Sequence, residues 1–299
     1  MQMDWLWIPF ALTAALIQAM RFMVQKQMAQ AGLTATGATW ARFLYSLPMI
    51  WAALWLMVWL RGMELPALGD AFWLWAAIGG SSQILATVFT VMLFTRRNFA
   101  VGVTLRKSEV LLTAAVGWAL LGEVPGWGGF AAMVVGMVAI LMLSGTGGRL
   151  RLDARSASLG LGAGLFFAFS GVGYRAATLE VASDDILLRP ALALGCVVIL
   201  QNVLMVGWLA LRDRAEITRV LAAWRPGLAV GITSFTGSFF WFAAFALQTA
   251  SVVFALGQVE VLFSMIIGAR VFSERLSGRE LAGIALLVAS VIALVAATH

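Results

Sequence analysis

Two carboxylates stand where water is scarce. Glu109 lies in "LRKSEVLL" and Glu260 in "LGQVEVLF", each within a run that is otherwise apolar. Each is followed, at helical spacing, by a hydroxyl and a glycine: Thr113 and Gly117 in the first run, Ser264 and Gly268 in the second. Positions i, i+4 and i+8 share one face of a helix. A face that reads acid, hydroxyl, glycine can line an aqueous cleft, or it can admit a neighbouring backbone closely. Arg106 and Lys107 sit beside the first acid. Carboxylates and cations held together in a low dielectric can compensate the two charges of a zwitterion, pass a proton, or lock helices together. Cleft and lock both stay open here, the lock pairing Glu109 with Arg106 one turn away.

Other polar side chains gather on a few segments. Gln18 and Arg21 share a helical face, as do Gln83, Thr87 and Thr90, and as do Ser234, Ser238 and Trp241. The run "GITSFTGSFFWFAAFALQ" joins hydroxyls to Phe235, Phe239, Phe240, Trp241, Phe242 and Phe245. Rings next to small polar groups can hold a planar or cationic organic solute, although single rings more often face lipid or neighbours; Trp241, on the hydroxyl face, is the exception. The residues placed to meet a solute are therefore Gln18, Ser82, Gln83, Thr87, Arg106, Lys107, Glu109, Ser234, Ser238, Trp241, Gln258 and Glu260. Glu123 and Glu274 read as structural, each a few residues before a further helix whose positive N-terminal end they favour.

The elements that carry these residues are membrane helices. The 299-residue chain is 62% hydrophobic and 11% charged, far from a soluble domain. A spanning helix needs about 20 mainly apolar residues. Ten windows fit, at 5–27, 36–60, 71–94, 99–121, 127–144, 158–179, 186–211, 226–247, 251–272 and 279–297. They are too long and too evenly apolar for a barrel. Spans 1, 3, 6 and 8, with the acid-bearing 4 and 9, are the expected cavity walls. Spans 2, 5 and 10 are poorer in polar residues and are expected to face lipid or pack outside. The start, "MQMDWLWIPF", has an acid where a cleavable signal has basic residues, so the first span is expected to be retained.

Laying Glu109 on Glu260 brings Val110 onto Val261, Leu111 onto Leu262, Thr113 onto Ser264, Gly117 onto Gly268 and Glu123 onto Glu274, all at a spacing of 151. Gly79 and Ser82 fall near Gly231 and Ser234 at nearly the same spacing. Five spans per copy is odd, so the second copy enters the membrane inverted. The expected organisation is a first five-helix repeat over 1–145, a connector at 146–157 and a second, inverted repeat over 158–299, forming an all-α membrane protein around a central cavity. Thirteen Lys and Arg fall in the connectors after odd spans, and only Arg61 and Arg189 in the others. The positive-inside rule then places the odd connectors in the cytoplasm and both termini outside. Five cations remain within spans: Arg21, Arg42, Arg106, Lys107 and Arg175. Each costs about 2.5–3.5 kcal/mol at mid-bilayer unless it finds a partner, water or the headgroups. Arg21 and Arg175 lie near span ends, where snorkelling is an alternative to pairing.

The chemistry of other classes is missing from the sequence. There is no HExxH, no GxxxxGK, a lone Cys196 and a lone terminal His299, while Asp184 and Asp185 sit in a connector. No metal, cofactor or nucleotide is expected, and an intramembrane hydrolase or ATP-driven pump is not supported. The net charge of +6 is spread singly between spans and speaks for orientation, not nucleic acid. A passive channel fits the mixed-sign buried charges less well than a carrier does.

The paired ends of the two copies, "LLGEVPGWGGFAAMVVGMVAILM" and "VFSERLSGRELAGIALLVASVIALV", each run from an apolar span through a terminal Glu and a short turn into a Gly-bearing span. This resembles the drug/metabolite transporter superfamily in its ten-span EamA-type branch, over essentially the whole chain. Within that branch it looks like exporters of the YddG type, which carry aromatic amino acids and related compounds such as methyl viologen across the bacterial inner membrane. The resemblance implies a basket lined by spans 1, 3, 4, 6, 8 and 9, gradient-driven export by alternating access, and the inner membrane as location. The implied partners are a small solute (an amino acid or a cationic aromatic) and the lipid bilayer, with a monomer possible. A flippase for lipid or polyprenyl-linked head groups, or an exporter of another metabolite or cationic drug, is the alternative. Many relatives carry proline in span 4 or 9 near this depth, where this chain reads "RKSEV" and "GQVEV".

Overall fold

A chain this apolar must satisfy its backbone polar groups internally, and helices do so within one segment. The computed structural model describes residues 5–94, 105–144, 154–263 and 278–298. Ser264, Gly268 and Glu274, and much of the basic connector, lie outside the described residues. The helices are α1 (Trp7–Gln30), α2 (Ala35–Arg61), α3 (Asp70–Phe94), α4 (Glu109–Leu121), α5 (Gly126–Ser144), α6 (Ala154–Leu179), α7 (Leu188–Arg212), α8 (Arg214–Ala222), α9 (Trp224–Leu247), α10 (Ala250–Gly257) and α11 (Gly278–Ala297). Among the described residues, seven are long and apolar enough to cross a membrane: α1, α2, α3, α5, α6, α7 and α9. Shorter apolar helices occupy Glu109–Leu121, Ala250–Phe263 and Leu281–Ala297, within the windows for spans 4, 9 and 10.

Lipid tails are as apolar as leucine, so helix pairs are selected by close packing, and small residues mark the contacts. The tightest is between α3 and α6. A Cβ on Gly173 would lie 2.7 Å from the backbone nitrogen of Gly79, and a Cβ on Gly79 would lie 2.7 Å from the Tyr174 ring. Glycine at both positions is what lets the two backbones touch. Pairs α1–α9, α2–α9 and α5–α11 pack in the same manner; a Cβ on Gly136 would meet Ser290 Oγ at 3.0 Å. The α5–α11 pair presents large apolar side chains outward, including Trp127, Leu141, Leu281 and Ile292.

Two differences from the sequence expectation concern spans 4 and 9, read there as unbroken helices. Around Lys107–Ser108 the helix tightens, with the Ser108 N–H donating to the Leu105 carbonyl, before α4 starts at Glu109. Around Gln258–Val259 it tightens again, with Gln258 donating to the Ala255 carbonyl and Val259 to that of Leu256. These are i→i−3 bonds of the 3₁₀ kind, at positions that correspond at the 151-residue spacing. The cause is packing without proline. At the first turn Gly164 of α6 lies so close that a Cβ there would be 2.8 Å from the Arg106 carbonyl, and at the second the Trp241 indole presses on Gly257. Each acid therefore opens a fresh helical segment instead of lying deep within one.

Helix α2 is held at both ends by the second half of the chain. At its start, the buried Glu216 of α8 accepts from the Thr34 N–H at 2.7 Å and the Thr34 hydroxyl at 2.8 Å, while Thr34 itself caps the Gly37 N–H. At its end, Arg61 donates to Asp185 at 2.6 Å, in the connector after α6. Within its first half, the Trp40 indole donates to Asn202 of α7 at 3.2 Å, and the Tyr45 hydroxyl donates to the Val220 carbonyl of α8 at 3.1 Å.

Two predictions test this packing. Gly173→Ala should lower the thermal midpoint in detergent by an amount corresponding to roughly 1–3 kcal/mol, whereas Gly207→Ala, with nothing near its Cβ, should be neutral or slightly stabilising. Equal effects would refute the backbone contact. The Arg61 guanidinium, with help from the Leu187 and Leu188 N–H groups, holds Asp185 below the ordinary carboxylate range. A depressed pKa contributes stability that is complete above the unfolded value of about 4 and is lost as pH falls through the folded one. The wild type should accordingly exceed Asp185→Asn in thermal midpoint at neutral pH, with the gap closing only below about pH 4; a gap unchanged in acid would refute the pair.

Candidate functional site

Helices α1, α2, α3, α4, α6, α7 and α9, with Phe254 of α10, enclose an internal cavity of about 30 Å³. Its polar lining comes from Gln18 and Arg21 of α1, Arg42 and Ser46 of α2, Gln83 of α3, Glu109 of α4, Ser170 and Tyr174 of α6, Gln201 of α7, and Ser234 and Ser238 of α9. Trp241, Phe242, Phe245, Phe254 and Phe167 supply its rings. Solute pockets usually measure about 300–1,000 Å³, so this is a narrow space that must widen to hold a solute.

Beside the cavity lies a charge network joining the two halves. Glu260 accepts from Lys107 Nζ at 3.0 Å, from Gln18 Nε2 at 3.1 Å and from Arg106 at 3.5 Å. Glu109 faces the same cations more loosely, Arg106 at 3.7 Å and Lys107 at 4.0 Å. The four residues are at most 6% exposed. Gln18 connects this network to the cavity, its carbonyl oxygen accepting from Arg21 at 2.9 Å and from the Trp241 indole at 3.1 Å. Arg106 also lies over the Phe22 and Phe167 rings, at 5.2 and 5.4 Å from their centroids.

Of the residues singled out in the sequence, Gln18, Gln83, Glu109, Ser234, Ser238 and Trp241 line the cavity. Thr87 is buried in the shell behind, where its hydroxyl accepts from Arg42 at 3.1 Å. Arg106 and Glu260 belong to the adjoining network. Lys107 and Gln258 line a second, smaller gap between α4, α5, α10 and α11. Ser82 is buried but lies off the cavity wall. Both Glu109 and Glu260 thus share in ion pairs, and Glu109 borders open space as well.

The described contacts bear on three of the readings made from the sequence. Span 2 does not simply face lipid: Trp55 and Trp59 point outward, but Arg42, Phe43, Ser46 and Ile50 line the cavity. Arg42 is drawn inward by two hydroxyl acceptors, Thr87 and Ser238. Snorkelling fails for Arg21, 1% exposed and bonded to Gln18, and for Arg175, which donates to Glu123 at 2.6 Å and to the Phe245 and Gln248 carbonyls at the end of α9. Glu123, expected to serve the N-terminus of the next helix, pairs across to α6 instead, because a guanidinium offers it a direct charged partner. Sequence reasoning missed Ser170, Tyr174 and Gln201. Ser170 donates to Gln83 and Gln201 donates to the Tyr174 hydroxyl; a lone hydroxyl or amide in an apolar span was their one signal.

Comparison with known proteins now adds to this geometry. Residues 154–296 match the EamA-like transporter family. The match covers somewhat less than half of the chain, and it is a likeness to a family of transporters; the seven long apolar helices are those of a multi-pass membrane protein. A crystal structure of a protein 16% identical in sequence superposes with a TM-score of 0.70, covering 96% of this chain and 96% of that one, a likeness of fold. No curated protein matches the chain.

The Lys107–Glu260 contact corresponds to an attraction of roughly 5 kcal/mol at an effective dielectric near 20, which the desolvation of two ions largely offsets. Removing one partner strands the other. Lys107→Met should therefore cost about 3–5 kcal/mol in unfolding measurements, and Lys107→Met with Glu260→Gln should recover most of it; simple additivity of the two losses would show that the charges are uncoupled.

Proposed function

We propose that the chain is a secondary transporter that exports small aromatic solutes, aromatic amino acids and related compounds foremost, across the bacterial inner membrane by alternating access. The observation that carries this reading is the cavity in which Trp241, Phe245 and Phe254 of the second half adjoin the buried charged side chains Arg21, Arg42 and Glu109 of the first. On this reading ten spans form two inverted five-helix repeats, over 1–145 and 158–299, and both termini lie outside. The basic α8 then lies on the cytoplasmic side with the start of α2. Trp241 and its neighbours meet the solute's ring, the charged groups of the cavity wall meet its polar end, and the network around Glu260 holds the halves together at mid-membrane.

The end of the cavity away from α8 supports export through a guarded outer exit. There Arg175 ties the end of α4 to the end of α9, and Arg61 ties α2 to Asp185. Opening outward requires these bonds to part.

Proteoliposomes loaded with labelled phenylalanine or tryptophan provide the test. The wild type should release either label faster than protein-free vesicles and with saturation, and Trp241→Ala should slow release by about ten-fold or more. Flux equal to that of protein-free vesicles would remove the aromatic solute from the proposal, and flux that never saturates would replace a carrier with a pore. Glu109→Gln and Glu260→Gln, assayed across a pH gradient, show whether either acid couples a proton; unchanged pH dependence in both would exclude them.

A further inference from the structure

The charges around the cavity do not balance. Among the described residues, Arg21, Arg42, Arg106 and Lys107 are 1–3% exposed, and the acids buried with them are Glu109 and Glu260, at 5% and 6%. Both acids are engaged by Arg106 and Lys107. That leaves Arg21 and Arg42, which lie on the cavity wall with no carboxylate at ion-pair distance among the described residues. Their partners are neutral: the Gln18 carbonyl for Arg21, and the Thr87 and Ser238 hydroxyls for Arg42. Nε and Nη1 of Arg21 and Nε of Arg42 are buried without any hydrogen-bond acceptor.

A guanidinium cannot discharge itself by losing a proton in a protein, so its unpaired donors persist whatever the pH. Two such groups facing one enclosed space attract a negative group, and their fork of donors suits a carboxylate or a phosphate in particular. The same cavity carries the rings of Trp241, Phe245 and Phe254, packed against one another with centroids 5.3–5.8 Å apart. A cationic aromatic would bring a further positive charge beside Arg21 and Arg42. A zwitterion would need an acid for its ammonium, and Glu109, which borders the cavity, already faces two cations.

Resting on the reading of this cavity as the solute site, we infer that it selects aromatic organic anions. The anionic group sits at Arg21 and Arg42, the ring lies against Trp241, Phe245 and Phe254, and an amino group is not required. Neither arginine lies in the acid-bearing segments, so this selection is separate from any proton coupling there.

Binding to the full chain in lipid nanodiscs tests the inference with solutes of one size and different charge: 3-phenylpropionate, phenylalanine and phenethylamine at neutral pH. The expected result is that 3-phenylpropionate binds about ten-fold or more tightly than the other two, the worth of one charged hydrogen bond. Phenyl phosphate, as a second anion, tells a carboxylate head from a phosphate head, and either anion leading the series supports the inference. Arg42→Gln and Arg21→Gln should each weaken anion binding by about ten-fold while leaving phenethylamine binding unchanged or improved. Arg42→Lys and Arg21→Lys, which retain charge, should lose less. The wild-type series decides the charge preference even where a glutamine variant does not fold. Equal or tighter binding of phenethylamine or phenylalanine, no measurable anion binding, or full anion binding in both folded glutamine variants overturns it. Anion binding without flux in proteoliposomes would defeat the transporter reading and leave this one standing; flux without charge preference would do the reverse.

Discussion

The carboxylate of Glu260 is the point on which the arrangement turns. It belongs to the second half of the chain, yet its partners Lys107, Arg106 and Gln18 all belong to the first. None of these groups can be left alone in a medium that penalises isolated charge so heavily. Their mutual need fixes where the α4 and α10 segments meet, and through the amide of Gln18 it fixes the Trp241 indole and the Arg21 guanidinium too. A single buried acid thereby positions groups on three helices, and the adjoining space takes its polarity from them.

Much of this was legible in the sequence because helical periodicity and internal repetition report depth and face. The acids, the glutamine on α1, the hydroxyl face of α9 and Trp241 were all found in that way, and the tightened turns at 107–108 and 258–259 fall at the repeat's own spacing. Partners are a different matter. The inward turn of Arg42 depends on Thr87 and Ser238, 45 and 196 residues away, and no local pattern announces such a meeting. The same holds for Arg175, whose distance from a span end suggested headgroups while its acceptors lay on two other helices. Composition ranked α2 as a lipid-facing helix because one arginine and one serine count for little in an average. Their effect on a buried cavity is large.

Close packing and charge pairing share the task of holding the helices. Where glycine lets α3 and α6 touch, dispersion acts over many short contacts and there is little freedom to slide. Around the cavity the helices are held by fewer, longer-reaching polar bonds, and at 30 Å³ the space between them is nearly shut. A molecule built in this manner is stiff in some seams and able to part in others.

The attachment of α2 has a consequence for how such a molecule can change shape. This helix comes from the first half of the chain, but Glu216 and Asn202 grip its beginning and Asp185 its end, all from the second half. Any movement of one half against the other must either break these anchors together or carry α2 along as a passenger. Mechanically, then, a line dividing the molecule into two bodies need not follow the midpoint of the chain: α2 is bound to the half it does not belong to in sequence.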